Sequence, residues 1–187
     1  MKTYILPSLK LTAVLLIILV VLYPLLIAGV AKAAPGGGDG VTVSVNGKVV
    51  GYENIGQKFT LDKYFQGRPS AVDYNAAGSA GSNKAPSNPD YLKTVKDRID
   101  TFMVHNPDVK KAEIPTELVT ASGSGLDPDV SPAGALVQVK RVAKARNLSE
   151  EKVKQLVAEH TQKPLLGFLG PEKVNVLKLN VALDLLK

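Results

Sequence analysis

Apolar residues are distributed very unevenly along this chain. From Leu11 to Ala31 the sequence reads LTAVLLIILVVLYPLLIAGVA, 21 residues without a charge between Lys10 and Lys32. About 20 apolar residues cross a bilayer as a helix, so the pattern predicts a transmembrane helix over 11–31. Pro24 lies inside it and predicts a kink, which membrane helices tolerate when neighbouring groups satisfy the freed carbonyl. The rival reading is a cleaved signal peptide, with Ala31-Lys32-Ala33 as the cleavage site. An apolar core of about 7–15 residues is usual there, and the greater length here favours a retained anchor.

Beyond the anchor the periodicity changes. Residues 32–40 include APGGGDG and read as a Gly-rich linker. Val41, Val43 and Val45 alternate with Thr42 and Ser44, and Asn46-Gly47 follows, the pattern of a hairpin with a tight turn. Residues 51–90 are broken by repeated Gly and Pro and predict no long helix. A segment so long and irregular is commonly functional or disordered, and Tyr64, Phe65 and Tyr74 argue against plain disorder.

Helical spacing returns at Leu92, Val95, Ile99 and Phe102, and Asn106-Pro107 ends that helix. Ser131-Pro132 is a cap followed by Pro in the first turn, opening a helix with a stripe of Leu136, Val139 and Ala143 that Asn147 ends. Ser149-Glu150-Glu151 starts another helix, with Val153, Leu156, Val157 and His160 on its inner face. KPLLGFLGPEK reads as an apolar turn. The last stretch, VNVLKLNVALDLL, reads as a helix or as a strand entering one: Val174 and Val176 suit a strand, Leu179, Leu183 and Leu186 a helix. The fold class is therefore α/β (α+β), one domain over 41–187 behind a single N-terminal helix.

Charge sets the topology. Lys2 and Lys10 precede the apolar run and no acid does, which places residues 1–10 in the cytoplasm and the domain outside, an extracytoplasmic domain on the cell membrane. The formal net charge of +6 does not indicate a nucleic-acid partner. Without the three lysines of the first 32 residues, 20 basic face 17 acidic residues, a net of +3. Cysteine is absent, so neither disulfides nor thiolate metal sites arise.

Candidate chemistry is sparse. TASGSGLDPDVSP, Thr120 to Pro132, is rich in hydroxyls, glycines and carboxylates. A nucleophile elbow, G-x-S-x-G, needs glycines two residues before and two residues after its serine, and neither Ser122 nor Ser124 has them. No phosphate-binding GxxxxGK[ST] run occurs. The stretch reads as a turn that delivers a helix, with Gly123 and Gly125 free to take positive φ. No cluster has metal-ligand spacing, and His160 on an apolar face reads as a satisfied core histidine. The residues alone describe an anchored outside domain with an accessory or binding role. Its rivals are an anchored solute-binding protein and an anchored hydrolase.

Five segments add to this picture. YFQGRPSAVDYN, GSNKAPSNP, LVTASGSGLDPDVSP, QVKRVAKARNLS and VNVLKLNVALD occur in this order behind one N-terminal apolar helix. The chain closely resembles the C subunit of the Kdp potassium-transporting ATPase, from the anchor to Asp184. The resemblance implies three partners: a channel-like potassium-binding subunit, a P-type ATPase subunit and a small hydrophobic subunit. ATP with magnesium, and potassium, are then handled by the complex. It further implies a catalytic chaperone that raises the ATP affinity of the ATPase subunit. This chain lacks the DKTG motif of P-type pumps, because Asp62-Lys63 continues with Tyr64. Gln138 matches the glutamine of the family's SPAxAxxQ run and is the candidate nucleotide contact, against an ordinary helix-surface amide. ATP inside and a domain outside make direct contact hard to arrange and favour action through the membrane helices.

The docking candidates for the other subunits are Arg68, a fork-shaped donor, and Ser82, Asn83, Ser87 and Asn88 on a polar loop. Asp127 and Asp129 are candidates for attracting hydrated cations, against a role as turn residues. Gly29 and Ala28 would let the anchor pack closely on other membrane helices. Ala80, Lys84 and the Pro171-Glu172 order depart from the family pattern and bear on loop shape.

Overall fold

The computed structural model describes residues 2–186. The chain divides into two compact units, one ending at Thr42 and one beginning at Val43.

The first unit is dominated by one long apolar helix, Thr3–Ala31, with a mean hydropathy of 3.0 in its most apolar window. It starts about two turns earlier than the uncharged run, because Thr3–Leu9 is itself apolar and the long stem of Lys10 can lie along a helix surface. The helix comprises α1 (Lys2–Leu16), a π-helical stretch (Ile17–Leu22) and α2 (Tyr23–Ala31). At about 1.5 Å per residue it exceeds the ~30 Å hydrocarbon thickness. The π stretch sits directly before Pro24, and the Tyr23 N–H bonds the Ile18 carbonyl five residues back. Proline has no N–H and its ring crowds the preceding turn, and the widened turn accommodates it. The linker contains a turn, Pro35–Gly38, with Gly36 and Gly37 at φ 76° and 63°.

At the boundary the chain forms the hairpin β1 (Thr42–Val45) and β2 (Lys48–Tyr52). Asn46 at φ 50° and Gly47 at φ 77° form its turn, the backbone that favours Asn-Gly. No helix or strand forms between Glu53 and Asn88. The helix α3 (Pro89–His105) starts where the Asn88 side chain accepts the Tyr91 N–H. Two 3₁₀ turns, Lys111–Glu113 and Thr116–Leu118, follow. A three-stranded antiparallel sheet places β5 (Lys173–Asn175) between β3 (Asp129–Val130) and β4 (Thr161–Gln162). Val174 stands opposite Val130 on one side and Thr161 on the other.

The helices α4 (Pro132–Leu136) and α7 (Val176–Leu185) pack on this sheet, and α6 (Glu150–Glu159) packs on both of them and on α5 (Val139–Arg146). Ser131 and Ser149 cap α4 and α6 as the sequence indicates, and Asn147 ends α5 at φ 56°. The terminal stretch is the strand-into-helix alternative. Phe65, Val130, Val139, Val142, Val153, Val157, Val174, Leu179 and Leu183 form the core.

Two expected core positions are exposed. Leu92 lies on the first turns of α3, whose only fully buried residue is Phe102 near the other end. Leu136 ends the five-residue α4, where the chain breaks at Val137-Gln138 and Ala135 turns inward instead. Gly123 does not adopt positive φ, whereas Gly125 does, at 68°. His160 is half-buried and its Nδ1 lies 2.9 Å from the Leu156 carbonyl, within its own helix.

Candidate functional site

The irregular segment 53–88 is fastened to the helices by polar side chains. Gln138, at the start of α5, is 0% exposed. Its Oε1 accepts the Gln66 N–H at 2.8 Å and an Arg141 N–H at 2.6 Å. Its Nε2 donates to the Gln66 carbonyl at 3.1 Å and to the Gly134 carbonyl at 2.9 Å. Asn180 on α7 does the same for Phe65: Oδ1 accepts its N–H at 2.8 Å and Nδ2 donates to its carbonyl at 2.9 Å. Each amide thus pairs with one residue as a neighbouring strand would. Buried amides require such partners, since an unpaired one costs about 1–3 kcal/mol.

Two arginines of α5 complete the clamp. Buried Arg141 donates to the carbonyls of Asp62 and Tyr64 at 2.6 and 3.0 Å and to the Asn106 side chain at 3.0 Å. Burial lowers its pKa to about 10, against a partly compensating Asp62 charge. Arg146 donates to the Lys63 carbonyl and the Asp184 carboxylate, both at 2.6 Å, and stacks 4.9 Å from the Tyr64 ring centre. The phenol of Tyr64 donates to the same carboxylate. Its pKa is raised, first by burial and then by that negative partner. The strap 62–66 is therefore held largely by side-chain amides and guanidinium groups.

The stretch 120–132 is a platform for the rest of the segment. Ser70 donates to the Gly125 carbonyl at 2.6 Å, and Ser79 donates to the Ser124 carbonyl at 2.9 Å. The Ser122 and Pro69 backbones pair, as do those of Gly56 and Leu126. A Cβ on Gly125 would lie 2.7 Å from the Ala80 carbonyl and from a Val72 methyl, on top of its left-handed φ. Tyr74 donates to the Arg68 carbonyl, and burial raises its pKa, with Asp127 and Asp73 adding to the effect.

These contacts place each candidate residue. Gln138 is buried rather than on the helix surface, and both ends of its amide bond within the protein. Arg68 donates to Asp127 at 2.9 Å, while its Nε is buried without a partner. Asp127 also accepts the Asp129 N–H through its other oxygen, and Asp129 pairs with Lys173 at 2.7 Å. Both carboxylates therefore have a cationic partner within the chain. Arg68, Asp127 and Asp129 line one cleft of about 260 Å3. Ser82 lines another of about 420 Å3 with Ser70, Tyr91 and Arg98. Asn83 is exposed at φ 50°, Ser87 is exposed, and Asn88 is the α3 cap.

A third cleft, of about 440 Å3, holds His105 with its Nδ1 2.8 Å from an Asp62 oxygen. That pair could orient a general base, yet the residues lining the cleft include no hydroxyl or thiol for it to activate. Among the described residues, no group of three or more His, Cys, Asp or Glu could hold a metal ion.

The family model described as K+-transporting ATPase, c chain, matches residues 5–185. The chain belongs to the KdpC family. It is 64% identical over 179 residues to the potassium-transporting ATPase KdpC subunit of Flavobacterium psychrophilum, covering 96% of each chain. The KdpC subunit of Bacteroides fragilis is 53% identical, with 100% of this chain and 99% of that one covered. That of Caldanaerobacter subterraneus is 48% identical over 94% and 92%. As a KdpC subunit the chain is part of a potassium-transporting ATPase, and its apolar helix fits a single-pass membrane protein.

Sequence reasoning missed Asn106, Arg141, Arg146 and Asn180. Asn180 carried a signal: a lone amide among Leu177, Leu179 and Leu183 on a buried helix needs an internal partner. Gln138 and Arg141, three apart on α5, carried a similar one. What they hold, the backbone of 62–66, has no periodicity and could not be foreseen.

Proposed function

We propose that this KdpC chain is the non-catalytic accessory subunit of a high-affinity ATP-driven potassium uptake pump. It stabilises the assembly and raises the ATP affinity of the ATPase subunit without itself holding the nucleotide. Its partners are the channel-like potassium-binding subunit, the P-type ATPase subunit and the small hydrophobic subunit. ATP with magnesium, and potassium, are handled by them. The domain lies outside, on the side opposite ATP.

One observation carries this reading: the full enclosure of Gln138. The residue whose family position suggests nucleotide contact is engaged in holding Gln66 and Arg141. An effect on ATP affinity then passes through contacts between subunits, which requires that the chain bind one state of the pump better than another.

The test is co-purification. A C-terminal tag on the chain, expressed under potassium limitation and extracted in mild detergent, should bring down a P-type ATPase and a channel-like subunit. Recovery of the tagged chain alone, with those subunits present in the same membranes, contradicts the proposal.

A further inference from the structure

The loop joining β4 and β5 is the most apolar exposed feature of the domain. Leu165, Leu166, Phe168 and Leu169 are 69%, 75%, 73% and 50% exposed. They form a finger closed by reciprocal backbone bonds between Leu165 and Leu169, at 3.1 and 2.9 Å. Residues 164–171 carry no charge. Leu166 stands at φ 56°, a conformation that a leucine rarely adopts, and Gly167 follows at 82°. An exposed leucine in a strained turn, beside three further exposed apolar side chains, stabilises nothing within the domain.

We infer that this finger inserts into the lipid surface of the membrane to which the chain is anchored. Three observations favour lipid over a protein partner. The amides of Leu165, Gly167, Phe168 and Leu169 all bond within the loop, which leaves fewer backbone donors that need water. Paired amides lower the cost of entering an apolar environment, whereas protein interfaces ordinarily exchange hydrogen bonds. Lys163, at the neck, is exposed and has no acidic partner among the described residues, as suits a residue at headgroup level. The segment 32–40 is nine residues long and reaches at most about 30 Å when extended, so a membrane-anchored domain is held on a short tether. At that range a weakly inserting finger acts at high effective concentration. The inference rests on the reading of the apolar helix as an anchor.

The chain has no tryptophan, so Phe168→Trp introduces a single indole at an exposed site. The full-length variant would be reconstituted in vesicles of phosphatidylethanolamine and phosphatidylglycerol. Insertion predicts blue-shifted emission, loss of most of that emission with lipids brominated on their acyl chains, and protection from iodide. Leu165→Trp should behave alike. Emission that is quenched by iodide and untouched by brominated lipid overturns the inference. So does blue-shifted emission that brominated lipid leaves intact, which places the finger against protein. Flotation of the vesicles after an alkaline wash reports the anchor separately. Loss of flotation defeats the anchor reading, whereas flotation with an unquenched indole defeats the finger alone.

Discussion

Gln138 and Gln66 share two hydrogen bonds, one in each direction between a buried side-chain amide and a backbone. The amide thereby acts as a one-residue strand for a segment that has no strand of its own. Replacing Gln138 with leucine removes both bonds and strips a partner from the Arg141 guanidinium. Each buried group left unsatisfied costs about 1–3 kcal/mol, so Gln138→Leu should lower stability by about 3 kcal/mol in urea unfolding of the full chain in detergent. A loss below about 0.5 kcal/mol would place the strap's stability elsewhere.

Asn180→Leu tests the neighbouring clamp on Phe65. The apolar surroundings accept a leucine, but the Phe65 N–H and carbonyl lose their partners. We expect about 2 kcal/mol of destabilisation, and faster limited proteolysis between Leu61 and Gly67 than elsewhere in the domain. Uniform proteolysis would show that the strap does not open on its own.

Arg68, a docking candidate, forms a partly shielded ion pair with Asp127, at 26% and 28% side-chain exposure. Double substitution with alanine should reveal a coupling of about 1 kcal/mol. If Arg68→Ala lowers recovery of the pump complex while the isolated chain remains folded, the arginine also serves docking. Unchanged recovery confines it to its own loop.

Burial holds the Tyr74 phenol protonated above its ordinary pKa of 10. A raised folded pKa contributes stability that is complete below pH 10 and is lost as pH rises through the folded value. Above pH 10 the wild-type chain should lose stability more steeply than Tyr74→Phe, read by denaturant midpoints across pH 9 to 11. Parallel curves would remove Tyr74 from the account.

Much of this structure was legible in the sequence. The long apolar helix follows from composition, and the Asn46-Gly47 hairpin, the caps at Ser131 and Ser149 and the stop at Asn147 rest on local backbone chemistry. The exposed Leu92 and Leu136 were misplaced because helical spacing names a face without saying what lies opposite it. The clamp was invisible for a deeper reason. The partners of Gln138 and Asn180 are 72 and 115 residues away, in a segment whose hydrogen bonds follow no periodic rule. Asp127 and Asp129 resemble free carboxylates until folding brings Arg68 and Lys173 to them.

The most direct test of the accessory role is the KM for ATP of the purified pump, measured with this chain present and with it omitted. The account predicts a higher KM without the chain, restored by adding it back, and no ATP hydrolysis by the chain alone. An intact pump whose KM is the same with and without the chain would contradict it.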